Sequence, residues 1–257
     1  MKNIKLFIIF IVVLASITSF SLVEEFWVEP GDSFQIEINP ERVVSSIFVK
    51  WDDYNGKAFG TLVTSTNKFS PVDIKPVNSS YSWDINEKIE NAFIEINGDK
   101  VHVLSYGVIY EDMTELEKNL LKYDFSLRSY DDYNKVFNLS DVLGKKPVML
   151  QFFQVNCQSC REKMPDIDRF ARIYPEIEII TIAANDHADN VKKLFESLKV
   201  TLPSLIDVNY RVCVQYDVFG VPHSVFFDMN GNIVNRGNLS IEEIENTIVE
   251  LGVWPHK

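Results

Sequence analysis

Cysteine is scarce: three in 257 residues, at positions 157, 160 and 213. So few, and odd in number, they exclude a structural disulfide framework, and Cys213 is left over once Cys157 and Cys160 are read as a close pair. The four histidines are scattered and no second C-x-x-C exists, so no metal site is expected. Basic residues are also in the minority, 25 Lys and Arg against 37 Asp and Glu, a formal net charge of -12 with no basic cluster. That excludes an electrostatic footprint for nucleic acid. Internal repeats and low-complexity tracts are absent.

What is present is enough apolar content, 46%, to build a sizeable core, and enough length for one large domain or two ordinary ones. Lys2 and Lys5 precede an apolar run from Leu6 to about Ala15, followed by small residues that allow cleavage after Ser21. Residues 1–23 therefore read as a signal peptide, with a retained membrane anchor as the alternative. No cysteine lies there to carry a lipid. The expected location is extracytoplasmic, periplasmic or secreted, where thiols tend towards disulfides.

Residues 24–110 read as a mainly-β domain, a small sandwich. SFQIEIN (33–39), VVSSIFVKW (43–51), NAFIEIN (91–97) and KVHVLSYGVIY (100–110) carry partial alternation, separated by Pro30-Gly31, Asn39-Pro40, Asn55-Gly56 and Asn97-Gly98 turns. NAFIEINGDKVHVLSY predicts a hairpin. Trp27, Trp51 and Trp83 read as core, and His102 as structural. Residues 111–122, EDMTELEKNLLK, predict a solvated connector helix with the domain boundary near Lys122.

From Tyr123 the pattern changes to alternating strands and helices. FSLRS and KVFNLSD suit a short strand pair, VMLQFF and EIEIITIAA buried strands, HADNVKKLFESL and VNYRVCVQYDV helices. HSVFFDM and NIVNRG flank an Asn230-Gly231 turn as a hairpin, and SIEEIENTIVEL is a closing helix capped by Ser240. Between VMLQFF and a polar helix lies Cys157-Gln158-Ser159-Cys160. Its position puts Cys157 at a helix start, where free amide N–H groups and the helix dipole favour a thiolate, with Cys160 one turn inside and Pro165 expected to kink the helix. A thiolate beside a second thiol is the minimal machinery of disulfide exchange.

Residues 123–257 resemble the α/β thioredoxin-like fold, and within it the exported thiol-disulfide oxidoreductases of the TlpA and ResA type. The resemblance rests on FNLSDVLGKKP, the strand running into CQSC with Pro165 beyond it, LPSLIDVNYRVCVQYDVFGVP, and Gly220-Val221-Pro222 followed by a strand and an Asn-Gly turn. It implies that Cys157 and Cys160 are catalytic, that Pro222 is cis and faces them, and that Val221 and Pro222 dock extended substrate. It also implies disulfide-containing or dithiol client proteins, an external redox partner and no cofactor beyond the cysteine pair. Gln158, Ser159, Glu162 and His223 are possible modulators. Where relatives carry an aromatic, a buried acid and a glutamate around the thiols, this chain has Asn156, Gln151 and Lys163.

The expected reaction is attack of the Cys157 thiolate on a client disulfide, followed by attack of Cys160 on the mixed disulfide. Two alternatives remain open. One is a peroxiredoxin-like peroxidase, although no Pro-x-x-x-Thr-x-x-Cys pattern precedes Cys157. The other is a metal-binding or degenerate thioredoxin-fold module using Cys157, Cys160 and His223. Cys213 reads as a small buried hydrophobe.

Overall fold

The computed structural model describes residues 26–52, 56–74, 79–132 and 134–256. The predicted signal or anchor at 1–23 and the Asn55-Gly56 turn's first residue lie outside them. No helix of the described residues is long and apolar enough to cross a membrane.

Eight strands form the N-terminal region: β1 Phe26–Val28, β2 Ser33–Ile36, β3 Val44–Asp52, β4 Phe59–Thr64, β5 Val72–Asp73, β6 Ser79–Glu87, β7 Ala92–Asn97 and β8 Val101–Tyr110. They pair antiparallel in two four-stranded sheets, β1-β8-β3-β6 and β2-β7-β4-β5. Inward-facing Ile47, Val49 and Val103 of the first sheet meet Leu62, Ile94 and Ile96 of the second in one apolar core. Trp51 and Trp83 lie within it edge to face, 5.9 Å between centroids, and the Trp51 ring fills the space over Gly60, where a Cβ would come within 2.1 Å of it. Trp27 does not join them. It is exposed and stacks on His102 at 4.6 Å, so the core reading of this tryptophan is corrected.

The predicted hairpin across Asn97-Gly98 is also corrected. β7 pairs with β2 and β4, whereas β8 pairs with β1 and β3, so the chain changes sheets at this turn. Alternation buries Ala92, Ile94 and Ile96 on one strand and Val101 and Val103 on the other. Strands facing each other across a sandwich satisfy that pattern as well as strands lying side by side. Gly98, at φ +92°, packs so closely on the β4 approach that a Cβ would sit 2.1 Å from the Lys57 carbonyl oxygen.

Helix α1, Glu115–Tyr123, begins at a capping box in which Thr114 and Glu117 satisfy each other's backbone N–H groups. It is not a solvated connector. Leu121 packs with Ile109, Met113 and Phe48 of the β region. On the other side Asn119 donates to Asn230 O at 3.3 Å and to Asn232 Oδ1 at 2.9 Å, and Leu116 rests against Gly144 and Gly231. Charges at helical spacing concealed this double engagement. Lys50 of β3 adds a second tie by donating to the Gln215 carbonyl, and burial depresses its ammonium, against a smaller opposing pull from Asp217.

The C-terminal region runs β9 Ser126–Ser129, β10 Val136–Asn138, β11 Val148–Phe153, α2 Gln158–Ile173, β12 Glu178–Ala184, α3 Ala188–Leu198, β13 Ser204–Asp207, α4 Arg211–Gln215, β14 His223–Phe227, β15 Ile233–Gly237 and α5 Ile241–Glu250. Its sheet has the order β10-β9-β13-β12-β11-β14-β15, with β11, β12 and β13 parallel and the remaining pairs antiparallel. The β9–β10 pair, the β14–β15 hairpin and Ser240 as the α5 cap match expectation. All six β11 residues are buried, because α2, α3 and α5 cover one face and α1 and α4 the other. Helix α2 is continuous through Pro165.

Leu121→Ala should lower stability by about 2–4 kcal/mol, since it empties a contact that the exposed face of α1 cannot refill. A urea titration that follows tryptophan fluorescence checks this. An unchanged midpoint would show that α1 does not bind the two regions together.

Candidate active site

The buried strand β11 ends beside the turn Gln154–Cys157, and its surroundings fix how that turn presents the first cysteine. Cys157 N–H donates to Gln154 O at 3.1 Å, and Val155 N–H donates to Asp186 Oδ2 at 2.8 Å. The Gln154 amide donates to Ala184 O at 3.3 Å and to the Tyr210 hydroxyl at 3.1 Å. Asp186 follows β12, and Tyr210 precedes α4. The turn is thus tied to the two neighbouring parallel strand ends.

Cys157 is the N-cap of α2, with extended backbone angles of φ -81° and ψ 110°. Its Sγ accepts from the Cys160 N–H at 3.2 Å, and the Ser159 hydroxyl lies 3.5 Å away. These donors converge on the sulfur from the helix start, where negative charge is favoured. Cys157 and Cys160 are joined in a disulfide, Sγ to Sγ 2.13 Å. The two sulfurs differ in access. Cys157 is half-buried, whereas Cys160 is 2% exposed and packs with Phe153, Met164 and Ile167.

The facing wall comes from the turn before β14. The Val221–Pro222 peptide is cis, and Val221 O lies 3.7 Å from Cys157 Sγ. Phe219, two residues earlier, is 75% exposed. The predicted grouping of Cys157, Cys160, Val221 and Pro222 is therefore present in one place.

The suggested modulators divide. Ser159 reaches the sulfur. Gln158 and Glu162 are exposed and bond each other, Gln158 Nε2 donating to Glu162 Oε1 at 2.8 Å, so Glu162 is turned to solvent rather than to Cys160. His223 pairs with Phe152 across the β11–β14 ladder and shares its face with Val225, while Gln151 and Ser224 occupy the opposite face. Cys160 packs on that opposite face with Phe153 and Phe226, so His223 does not reach the dithiol. Burial and then the Arg236 charge hold its imidazole below its usual value, and its Nε2 is buried without a partner. The same register removes the Cys157, Cys160 and His223 set proposed for a metal. Among the described residues no group of three or more His, Cys, Asp or Glu is placed to hold one.

The floor under α2 is neutral. Gln151, 1% exposed, accepts from the Ser224 hydroxyl at 2.7 Å and donates to the carbonyls of Phe152 and His223 at 3.1 and 3.3 Å. Lys163 donates to Asn238 Oδ1 at 2.8 Å and to Leu239 O at 2.6 Å, tying α2 to the approach to α5. Burial lowers its pKa, offset in part by Glu243. Cys213 lies across the sheet, buried in α4. Its thiol is pushed far up by burial and then by Asp207, which accepts from the Val212 and Cys213 N–H groups. The reading of Cys213 as a buried small residue holds.

Sequence reasoning missed Ser224, Asp186 and Tyr210. Ser224 was detectable as the polar residue opposite Gln151 once the strands were aligned. Tyr210 gave no signal, since it adopts φ +59° directly after Asn209 at φ +60°, a conformation that tyrosine composition does not announce.

Comparison with known proteins agrees with this geometry. Residues 122–236 match the model of the AhpC/TSA family. The chain is similar to the thiol-disulfide oxidoreductase ResA of Geobacillus kaustophilus, 31% identical over 111 residues, covering 42% of this chain and 63% of that protein. ResA of Geobacillus thermodenitrificans is 26% identical over 144 residues, 54% of this chain and 81% of the relative. The chain thus spans somewhat under two thirds of the first relative's length and about four fifths of the second's. Among solved structures, a secreted Mycobacterium tuberculosis disulfide oxidoreductase homologous to DsbE is similar over 50% of this chain and 97% of its own, at 19% identity and a TM-score of 0.46. Over residues 122–236 the chain is thus similar to the AhpC/TSA family, and its C-terminal half is a thioredoxin-like α/β domain with distant homology to ResA-type thiol-disulfide oxidoreductases, carrying the Cys157–Cys160 pair.

Proposed function

We propose that the protein is an exported thiol-disulfide oxidoreductase that exchanges disulfides with protein clients. The observation that carries this reading is the asymmetric pair: a half-buried sulfur capped by the Cys160 amide, joined to a fully buried one, beside the Val221 carbonyl. In the reducing direction the Cys157 thiolate attacks one sulfur of a client disulfide. A Cys157–client bond forms, the client bond breaks, and one client thiolate leaves and takes a proton from solvent. Cys160, deprotonated, then attacks Cys157 Sγ, forming the intramolecular disulfide and releasing the second client thiolate. Two electrons pass from the dithiol to the client, and an external dithiol partner restores them. The oxidising direction is the reverse, with the Cys157 thiolate as the leaving group that the helix amides stabilise. An extended client backbone would use the Val221 carbonyl beside Cys157 as a hydrogen-bond acceptor.

Export is supported by the basic start and apolar run of residues 1–23. The peroxidase alternative gains nothing from the site. Gln154 stands three residues before Cys157, and its amide is committed to Ala184 O and Tyr210.

Cys160→Ser should accumulate mixed disulfides through Cys157 that migrate as client adducts on non-reducing gels and vanish with reductant. The unmodified protein should show a reversible two-electron couple in glutathione buffers, which Cys160→Ser loses. No thiol-dependent adduct together with no couple would overturn the exchange reading.

Access gives a second expectation. After reduction, iodoacetamide should modify Cys157 well before Cys160 or Cys213, both 2% exposed. Mass mapping at short times checks it, and equal labelling of all three would contradict the asymmetry.

A further inference from the structure

A concavity of about 250 Å³ lies beside the turn that presents Cys157, lined by Val155, Arg161, Asn190, Lys193, Leu194 and Ser197. Val155 belongs to the turn that presents Cys157, and the Arg161 N–H donates to Cys157 O at 3.1 Å. The concavity therefore opens between the first turn of α2 and the outer face of α3. Leu194 is buried and Val155 half-buried, which gives it an apolar floor, while the cationic side chains are exposed.

Arg161 stands apart from the other arginines of the described residues. Arg42, Arg169 and Arg172 are paired with carboxylates, Arg236 and Arg211 donate to backbone carbonyls, and Arg128 is also engaged. Among the described residues, the Arg161 guanidinium has neither a hydrogen bond nor an ion pair, and neither has the Lys193 ammonium across the concavity. Nearby acids do not neutralise them. Asp186 spends Oδ2 on the Val155 N–H, Glu162 is bonded to Gln158, and Asp189 and Glu196 share α3 with Lys193 without pairing to it. In a protein of net charge -12, two uncommitted cations rim one recess with an apolar floor beside the turn that presents Cys157. A planar guanidinium and an ammonium together suit a carboxylate.

We propose that this concavity is a client subsite for a carboxylate side chain located within a few residues of the cysteine that joins Cys157, so that the dithiol favours acidic client segments. The proposal rests on the exchange reading above and adds the substrate preference. Arg161 stands four positions after Cys157, roughly 6 Å of axial rise, which about two residues of extended client backbone span. An exposed ion pair is weak by itself. Once the mixed disulfide tethers the client, the carboxylate is held near the cations at high effective concentration, and a weak contact suffices to bias turnover.

The test uses the full chain and disulfide-linked peptides that carry Glu or Gln at each of the three positions on either side of the reacting cysteine. Exchange by the reduced protein should show a kcat/KM for the best Glu peptide about fivefold above its Gln partner. Raising the salt should shrink that ratio. Arg161→Gln with Lys193→Gln should bring it to one. Arg161→Glu with Lys193→Glu should invert it in favour of Lys peptides. Equal rates for Glu and Gln peptides at every position would overturn the subsite and leave the exchange reading standing. Absence of exchange with all peptides would overturn both. Because both residues are exposed, the variants should keep the parent unfolding midpoint, and a Glu preference that survives in them at that midpoint would also overturn the subsite.

Discussion

The first amide N–H groups of an α-helix have no carbonyl partner inside the helix, and in this protein one of them is aimed at a sulfur. The Cys160 N–H meets Cys157 Sγ because Cys157 occupies the cap, and Cys157 occupies the cap because β11 stops where it does. Burial on both faces holds that strand in register with β12 and β14, so its end is a fixed point. The turn beyond it is then bonded to Asp186, Ala184 and Tyr210 at the ends of adjoining elements. Exchange chemistry needs one reachable sulfur and one protected sulfur on a rigid support, and the order buried strand, tied turn, helix start supplies both.

The β region is coupled to this support on the far side of the sheet from the dithiol. Helix α1 meets the N-terminal sandwich through Leu121 and the β14–β15 turn through Asn119. Tyr216 donates to the Tyr123 carbonyl and packs on Phe152 of β11. The sandwich thus bears, through α1 and α4, on the strand that leads into the cysteine turn, on the face of the sheet opposite α2 and α3. That division also accounts for the isolation of Cys213, whose α4 belongs to the layer that receives the sandwich.

Much of this was legible in the residues. VMLQFF followed by CQSC places a buried strand before a capped helix, and continuous apolar runs, Asn-Gly turns and Ser240 mark the other thioredoxin-like elements. What was not legible depends on pairing at a distance. NAFIEINGDKVHVLSY has the same alternation whether its strands adjoin or oppose each other, and only their separate partners decide. EDMTELEKNLLK displays its charges but not the two surfaces that claim Leu121 and Asn119. His223 follows Pro222 directly, yet its face is set by its opposition to Phe152 in β11, information that sequence proximity does not contain.

The polar floor beneath α2 bears on the second half of the exchange. Cys160 must lose its proton as it attacks Cys157, inside an apolar setting that disfavours a thiolate. Gln151 cannot take that proton, because its amide nitrogen is spent on two carbonyls and its oxygen already accepts from Ser224. An amide is also no base near neutral pH. Glu162, the nearest acid in sequence, is exposed and bonded to Gln158. In the exchange proposed above, water or the departing client thiolate is then the acceptor that the geometry leaves.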